Sequence, residues 1–130
     1  MNTSVMVEIS PGELIDKITI LEIKMDQITD EQKLTNIKSE WITLNRSKSA
    51  QLSKSAKLDE FSAQLKSVNE KLWVIEDEIR EFERLKDFSE EFIRLARAVY
   101  VNNDERARIK RSINDFLGSK LIEEKSYSSY

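Results

Sequence analysis

Two carboxylates near the start of the chain have a spacing that suits metal binding. Glu13 and Asp16 stand three residues apart, so on a helix they share one face. Oxygen ligands placed in this way can hold a hard cation such as Mg²⁺. Glu13 also fits the third position of a capping box that begins at Ser10, with Pro11 as the first helical residue. We therefore favour a structural role for the pair and keep Glu13 and Asp16 as weak metal candidates.

A second polar set contains Trp73, Glu76, Asp77 and Arg80, which form one stripe of a later helix at i, i+3, i+4 and i+7. An indole beside two carboxylates and a guanidinium can receive a sugar, a nucleotide or a partner side chain. The alternative is that Trp73 packs against a neighbouring helix while Arg80 forms local ion pairs with the acids. We favour this second interpretation.

A third set is basic and surrounds the triplet Asn102-Asn103-Asp104. We interpret the triplet as a break before a new helix, whose free N–H groups would point outward and attract a phosphate or a carboxylate. Asp104 and Glu105 compete for the same donors, so solvated arginines are the favoured interpretation. The candidate ligand-binding residues of this set are Arg97, Tyr100, Asn103 and Arg106.

The composition excludes several kinds of enzyme. With no cysteine and no histidine, the chain has no thiolate ligand, no imidazole base and no disulfide. The formal charge of -3 and the lack of a stacking platform make nucleic-acid binding an unfavourable hypothesis. The chain has neither a signal-like start nor an apolar run of membrane length. We expect a cytoplasmic protein without a membrane segment and without a cofactor.

The elements that must carry these residues are helices. Apolar side chains three and four apart predict a first helix from about Pro11 to Ile28, and Asp30 can cap a second, antiparallel helix. A Ser/Lys-rich loop is predicted over residues 45–57, followed by a long third helix from Leu58 to Leu85. Two shorter helices and a polar tail over residues 119–130 complete the chain, and Gly118 fits a left-handed C-cap.

The resulting fold class is all-α: a helical hairpin, a long third helix and two shorter helices, with coiled-coil-like packing in a single domain of residues 1–130. We expect residues 1–10 to form an extended arm, in which Val5, Val7 and Ile9 alternate with Met6 and Glu8 and can form a short strand. The seams of helices one and three are longer than a small monomer readily covers, so we expect them to form an interface. Its predicted residues are Leu14, Ile18, Leu21, Met25, Leu65, Val68, Leu72 and Ile75.

The segment Ile9–Lys24, which reads ISPGELIDKITILEIK, resembles the opening of an uncharacterised family of small proteins from bacteria and from phages of marine cyanobacteria. Other blocks similar to that family are Val68–Trp73, Ile75–Arg80, Phe92–Asp104 and Glu123–Tyr127. The resemblance implies a related fold and, for a phage protein, a place in the host cytoplasm. It implies no catalytic residue, because the family is a domain of unknown function.

Two functional hypotheses follow from these patterns. The first is a non-enzymatic helical module that forms a homo-oligomer, a dimer in the favoured case, and can also bind a protein partner. The second is a small ligand-binding protein or metal-dependent enzyme acting on a phosphorylated or sugar-nucleotide compound. The second hypothesis would use the acids of helices one and three together with the region of Arg97, Tyr100 and Arg106. We favour the first, since no complete catalytic motif is present.

Overall fold

Four α-helices form the regular structure of the protein in a computed structural model that describes residues 2–130. They are α1 (Pro11–Gln27), α2 (Glu31–Gln51), α3 (Ala56–Arg84) and α4 (Glu90–Leu117). Because the described part of the chain contains no strand, the all-α prediction is confirmed. None of these helices is long and apolar enough to cross a lipid bilayer.

Local signals fix most of the helix ends. The Ser10 hydroxyl accepts a hydrogen bond from the Glu13 N–H at 3.2 Å, and Pro11 occupies the first turn of α1. The Asp30 carboxylate accepts from the Lys33 N–H at 2.9 Å and so caps α2. At the other end of the chain, Gly118 has φ 66° and closes α4 with a left-handed C-cap, as predicted.

The predicted strand in the N-terminal arm is wrong for the described residues 2–10, which contain no strand. A strand needs a neighbouring edge to pair its backbone groups, and the rest of the described chain is helical. Met1, the first residue of the predicted arm, lies outside the described residues. Val5, Met6 and Val7 are highly exposed, so the alternation in the arm does not reflect one buried face.

The predicted loop over residues 45–57 is too long. α2 continues to Gln51 and α3 begins at Ala56, so only residues 52–55 connect the two helices. Lysine, glutamine and alanine are good helix formers, and a solvated helix needs little apolar pattern. The Ser55 hydroxyl then accepts from the Leu58 N–H at 3.0 Å and caps α3.

The two shorter helices predicted after α3 are in fact one helix, because α4 runs unbroken through Asn102, Asn103 and Asp104. The Asn102 side chain donates to the Ala98 carbonyl at 2.8 Å, so its amide bonds within the helix instead of ending it. An asparagine costs a helix only about 0.7 kcal/mol relative to alanine. Burial of side chains on both sides of the triplet, at Leu95 and Ile109, outweighs that cost.

α1 lies at the centre of the fold and contacts each of the other three helices. Its first half meets α4, where Asp16 pairs with Arg106, and its second half meets α3, where Glu22 lies 3.6 Å from Lys66. α3 and α4 form an antiparallel pair, with Phe61 packed edge-on against Phe116. The main core cluster consists of Ile15, Leu58, Leu65, Val68, Leu72, Ile109 and Ile113.

α2 is the least anchored helix. It makes its helix-to-helix contacts with α1 alone, and none of its residues is buried. One polar contact supports it, the Trp41 indole N–H donating to the Glu22 carboxylate at 3.2 Å. Because little apolar area is buried, the opening of α2 should cost less free energy than the opening of α3.

Hydrogen exchange measures this difference directly. We expect the amides of α2 to exchange with a smaller opening free energy than the amides around Leu65 and Leu72 in α3, because only α1 protects α2. Trp41→Phe should accelerate exchange in α2 further, since it removes the bond to Glu22 and keeps an aromatic ring. The matched control, Ile42→Leu, keeps that bond. Equal protection of α2 and α3 in the unmodified protein would contradict the expectation.

Candidate functional site

Polar side chains gather where α1 meets α3 and α4, and we name them the polar cluster. The spacing of these residues along each helix explains why they meet. On α4, Arg106, Lys110 and Asn114 follow one another at steps of four and form one stripe. On α1, Gly12, Glu13 and Asp16 face this stripe. The full cluster consists of Gly12, Glu13, Asp16, Thr19, Asn69, Arg106, Lys110, Asn114 and Glu123.

Asp16 is the centre of the cluster, with only 1% of its surface exposed. The Arg106 guanidinium binds both of its oxygens; Nε lies 2.9 Å from Oδ1, and a terminal nitrogen donates to Oδ2. Asn69 Nδ2 donates to Asp16 Oδ1 at 2.9 Å and to Thr19 Oγ1 at 3.0 Å. The Thr19 hydroxyl donates to the Asp16 carbonyl at 2.8 Å. The carboxylate therefore joins three helices.

Lys110 forms the second half of the cluster. Its side chain is 8% exposed, and its Nζ lies 2.7 Å from Glu13 and 3.0 Å from Glu123 of the C-terminal tail. One turn further on, Asn114 Oδ1 accepts from the Gly12 N–H at 2.7 Å. This bond satisfies a free amide at the start of α1 and brings the backbones of the two helices close together.

The charges of the cluster support one another. Burial alone would raise the pKa of the Asp16 carboxyl, but the hydrogen bonds from Arg106 and Asn69 outweigh burial and hold that pKa below its ordinary value. Burial would lower the pKa of Lys110, yet its bonds to Glu13 and Glu123 raise it. The bond to Asp16 likewise raises the pKa of Arg106. All three groups are charged at neutral pH.

These contacts determine what the cluster can do chemically. Both Asp16 oxygens already accept hydrogen bonds from Arg106, so the carboxylate is poorly placed to act as a proton acceptor. Glu13 and Asp16, the candidate metal ligands, each bind a cation of α4. Within residues 2–130, no three histidine, cysteine, aspartate or glutamate side chains gather as a metal site would require. The geometry suits a structural role, in which the cluster fixes the register of α1 against α3 and α4.

The other candidate ligand-binding residues lie outside the cluster. Trp73 is half-buried, Glu76 pairs with Arg80 at 3.0 Å, and this pair is exposed. Asp77 is also exposed. Of the candidates from different sets, the structure brings Arg106 and Asp16 together.

Of the remaining residues in the basic set, Arg97 Nε donates to Tyr100 Oη at 3.3 Å on the exposed face of α4. Asn103 is half-buried in the same helix. Arg106 instead turns toward Asp16. The set does not form around a helix start, because α4 does not begin there.

The residues predicted to form an interface lie mostly inside one chain. Six of them are buried in the core, namely Leu14, Ile18, Leu21, Leu65, Val68 and Leu72. Met25 and Ile75 are half-buried. α1 and α3 thus use most of these seam residues for packing within one chain.

Sequence reasoning missed several members of the cluster, although two of them leave a signal. Asn69 stands between Val68 and Leu72 in the apolar seam, and a polar residue in a seam often specifies register. Lys110 lies next to Ile109 and one turn before Ile113, on the side of α4 that faces the core. The contributions of Thr19, Asn114 and Glu123 depend on contacts between distant segments and leave no local pattern.

The comparisons with known proteins give a family but no activity. A model described as "Family of unknown function (DUF6165)" matches residues 5–130. This match supports the resemblance to an uncharacterised domain family. No curated protein matches the sequence, and no solved structure matches it.

Gly12 tests the close approach of α1 to α4. A Cβ at this position would lie 2.6 Å from the Lys110 carbonyl oxygen and 2.9 Å from Asn114 Oδ1. We expect Gly12→Ala to lower the free energy of unfolding by about 1–3 kcal/mol, the usual cost of overpacking, as measured by urea denaturation. Ser49→Ala, at an exposed position of α2, should change it by no more than about 0.5 kcal/mol. An equal effect of both substitutions would refute the close approach.

Asp16 should make the free energy of unfolding depend on pH. Because its pKa is lowered by folding, its contribution is present above the unfolded pKa of about 3.9 and is lost as the pH falls through the folded value. Asp16→Asn should therefore destabilise the protein by about 3 kcal/mol at neutral pH, since it leaves Arg106 unpaired. The gap between variant and unmodified protein should shrink as the pH falls through the folded pKa of Asp16.

Urea denaturation at several pH values measures that gap. Glu76→Gln is the matched control, because it breaks an exposed carboxylate–arginine pair that contributes at most about 1 kcal/mol. A gap for Asp16→Asn that stays constant down to the lowest pH would show that the Asp16 carboxylate is not the group responsible.

Proposed function

The chain belongs to the DUF6165 family, whose function is unknown, and we propose that it is a helical module that self-associates through the end of its α3/α4 pair. We name residues 73–101, which contain the end of α3 and the start of α4, the distal segment. The observation that carries the proposal is the exposed apolar surface of this segment. A dimer is the assembly that we propose.

The distal segment lacks the cover that α1 gives to the rest of the pair. Leu95 is its one buried residue, although both helices carry many apolar side chains. Several of these are about half exposed: Val74 at 52%, Leu85 at 59%, Phe88 at 54%, Ile93 at 53% and Val101 at 46%. Two helices alone can bury only a narrow stripe of each other. A patch of this kind on a small protein commonly marks an interaction site.

A second copy supplies the missing cover in a simple way. If two distal segments pack face to face about a two-fold axis, each pair of helices covers the other and the result is a four-helix bundle. The half-buried residues Ile75, Ile79 and Phe82 continue the heptad pattern of α3, which favours coiled-coil-like packing between the copies. Residues 73–84 of α3 span roughly 18 Å, about three turns of such a bundle.

The charges around the patch are compatible with an interface. Ion pairs within single helices flank the apolar side chains, with Glu76–Arg80 at 3.0 Å and Glu81–Arg84 and Glu91–Arg94 each at 2.5 Å. Paired charges at the edge of an apolar patch resemble the polar rim of known interfaces. The segment still carries eight acidic and five basic side chains, and the apolar contact has to outweigh this excess of negative charge when two copies approach.

The alternative, a ligand-binding protein or metal-dependent enzyme, has less support. It would need the carboxylates of Glu13 and Asp16, which already bind Lys110 and Arg106. We further propose a cytoplasmic location, since a chain without cysteine needs no oxidising compartment to fold. The self-association would need neither a cofactor nor a metal.

Molar mass in solution tests self-association. Light scattering over a range of micromolar concentrations should give twice the mass of one chain, and Ile93→Glu should weaken the dimer by about tenfold or more, because it places a charge in an apolar contact. Ile42→Glu is the matched control. Ile42 is similarly exposed, at 49%, but it lies on α2 and should leave the mass unchanged.

Circular dichroism must show that both variants keep their helical content. A mass of one chain at every concentration of the unmodified protein would refute the proposal. If Ile93→Glu and Ile42→Glu weakened the dimer equally, the contact between copies would not lie in the distal segment.

A further inference from the structure

We propose that the basic side of α4, formed by Lys110 and Arg111, is a docking site for an extended peptide that carries two adjacent acidic residues. The C-terminal tail of the chain, residues 119–130, occupies this site as an internal ligand. The tail lies mainly along the half of α4 that follows the distal segment proposed for self-association. Only its last residue, Tyr130, reaches that segment, at Tyr100.

The tail is seated by charge. Glu123 lies 3.0 Å from Lys110 Nζ, and Glu124 lies 3.9 Å from Arg111 Nη1. Two adjacent carboxylates thus contact two adjacent cations. A lysine Nζ and an arginine guanidinium both recognise carboxylates through charge-assisted hydrogen bonds.

The end of the tail makes an aromatic contact. The Tyr130 ring packs edge-on against Tyr100 with a centroid distance of 5.2 Å, and its hydroxyl donates to Asp104. From Lys110 to Tyr100 the tail follows α4 backward over roughly 15 Å of helix. The site therefore recognises two acidic residues followed, further along the peptide, by an aromatic ring.

Lys110 shows that the carboxylate position is built into the fold. Its side chain is more than nine-tenths buried and is held between Glu13 of α1 and Glu123 of the tail. Without the tail, Lys110 would keep only Glu13, and Arg111 would keep Asp115 at 3.5 Å. The vacated position would then be open to the carboxylate of another peptide, which restores the second partner of the ammonium.

The tail is attached weakly enough to be exchanged. No residue of the tail is buried, and its aliphatic side chains Leu121 and Ile122 are 37% and 52% exposed. The carboxylates that hold the tail are exposed, at 44% for Glu123 and 78% for Glu124, so the tail opens at a low cost in free energy, and salt weakens its attachment. A partner protein with an acidic peptide can therefore replace the tail.

A competition experiment on the chain of 130 residues tests the site. A fluorescein-labelled peptide of residues 119–130 is titrated with unmodified protein and with Glu123→Gln/Glu124→Gln, and binding is measured by fluorescence anisotropy. The peptide should bind this variant at least about tenfold more tightly, because the attached tail no longer competes at high effective concentration. Both substitutions lie on exposed tail residues, so the helices should stay folded.

Two controls make the result specific. A peptide with glutamine at both glutamate positions should bind neither protein. Glu76→Gln/Asp77→Asn, which removes two carboxylates of α3 rather than of the tail, should bind the labelled peptide as the unmodified protein does. The proposal is overturned by equal affinity for the unmodified protein and the tail variant. Equal binding of the glutamine peptide, or no saturable binding up to millimolar concentration, overturns it as well.

Discussion

The contact between Asp16 and Arg106 is the constraint on which the arrangement of the helices depends. It fixes α1 against α4, and the bonds from Asn69 tie α3 to the same carboxylate. A buried ion pair adds little stability relative to an apolar pair of the same shape, but breaking it is costly. Its main effect is on specificity, since a shift of α1 along α4 would leave a buried charge without a partner. The two other attached segments depend on this position, α2 through α1 and the tail through Lys110.

The same constraint leaves the two ends of the α3/α4 pair in different environments. α1 crosses the half that contains Leu65, Val68 and Ile109, and most of the core lies there. The other half of the pair has only itself for cover, so its apolar side chains remain partly exposed. α1 covers only one half of the α3/α4 pair, which is the physical reason to seek a partner at the other end rather than at the seams of α1.

The sequence predicts the parts of this fold that depend on neighbouring residues. Ser10, Asp30 and Gly118 mark helix ends because their interactions lie within one or two turns. The helix break predicted at Asn102–Asp104 is wrong, because packing of Leu95 and Ile109 on either side outweighs the weak helix propensity of asparagine. Asp16 and Arg106 were both identified as candidates, but in separate sets, since their pairing joins residues far apart in the chain. Burial of Lys110 is equally a consequence of tertiary structure.

Ionic strength should separate the two surfaces that the fold presents. The tail is held by carboxylates on lysine and arginine, and such exposed pairs weaken as the Debye length falls from about 10 Å at 0.1 M salt to about 3 Å at 1 M. Packing between distal segments depends on apolar area, which salt does not screen and which excluded salts strengthen. High salt therefore frees the basic side of α4 while it leaves contacts through the distal segment intact. The proposed peptide site and the proposed contact between copies would thus respond to salt in opposite directions, because charge holds the first and apolar area holds the second.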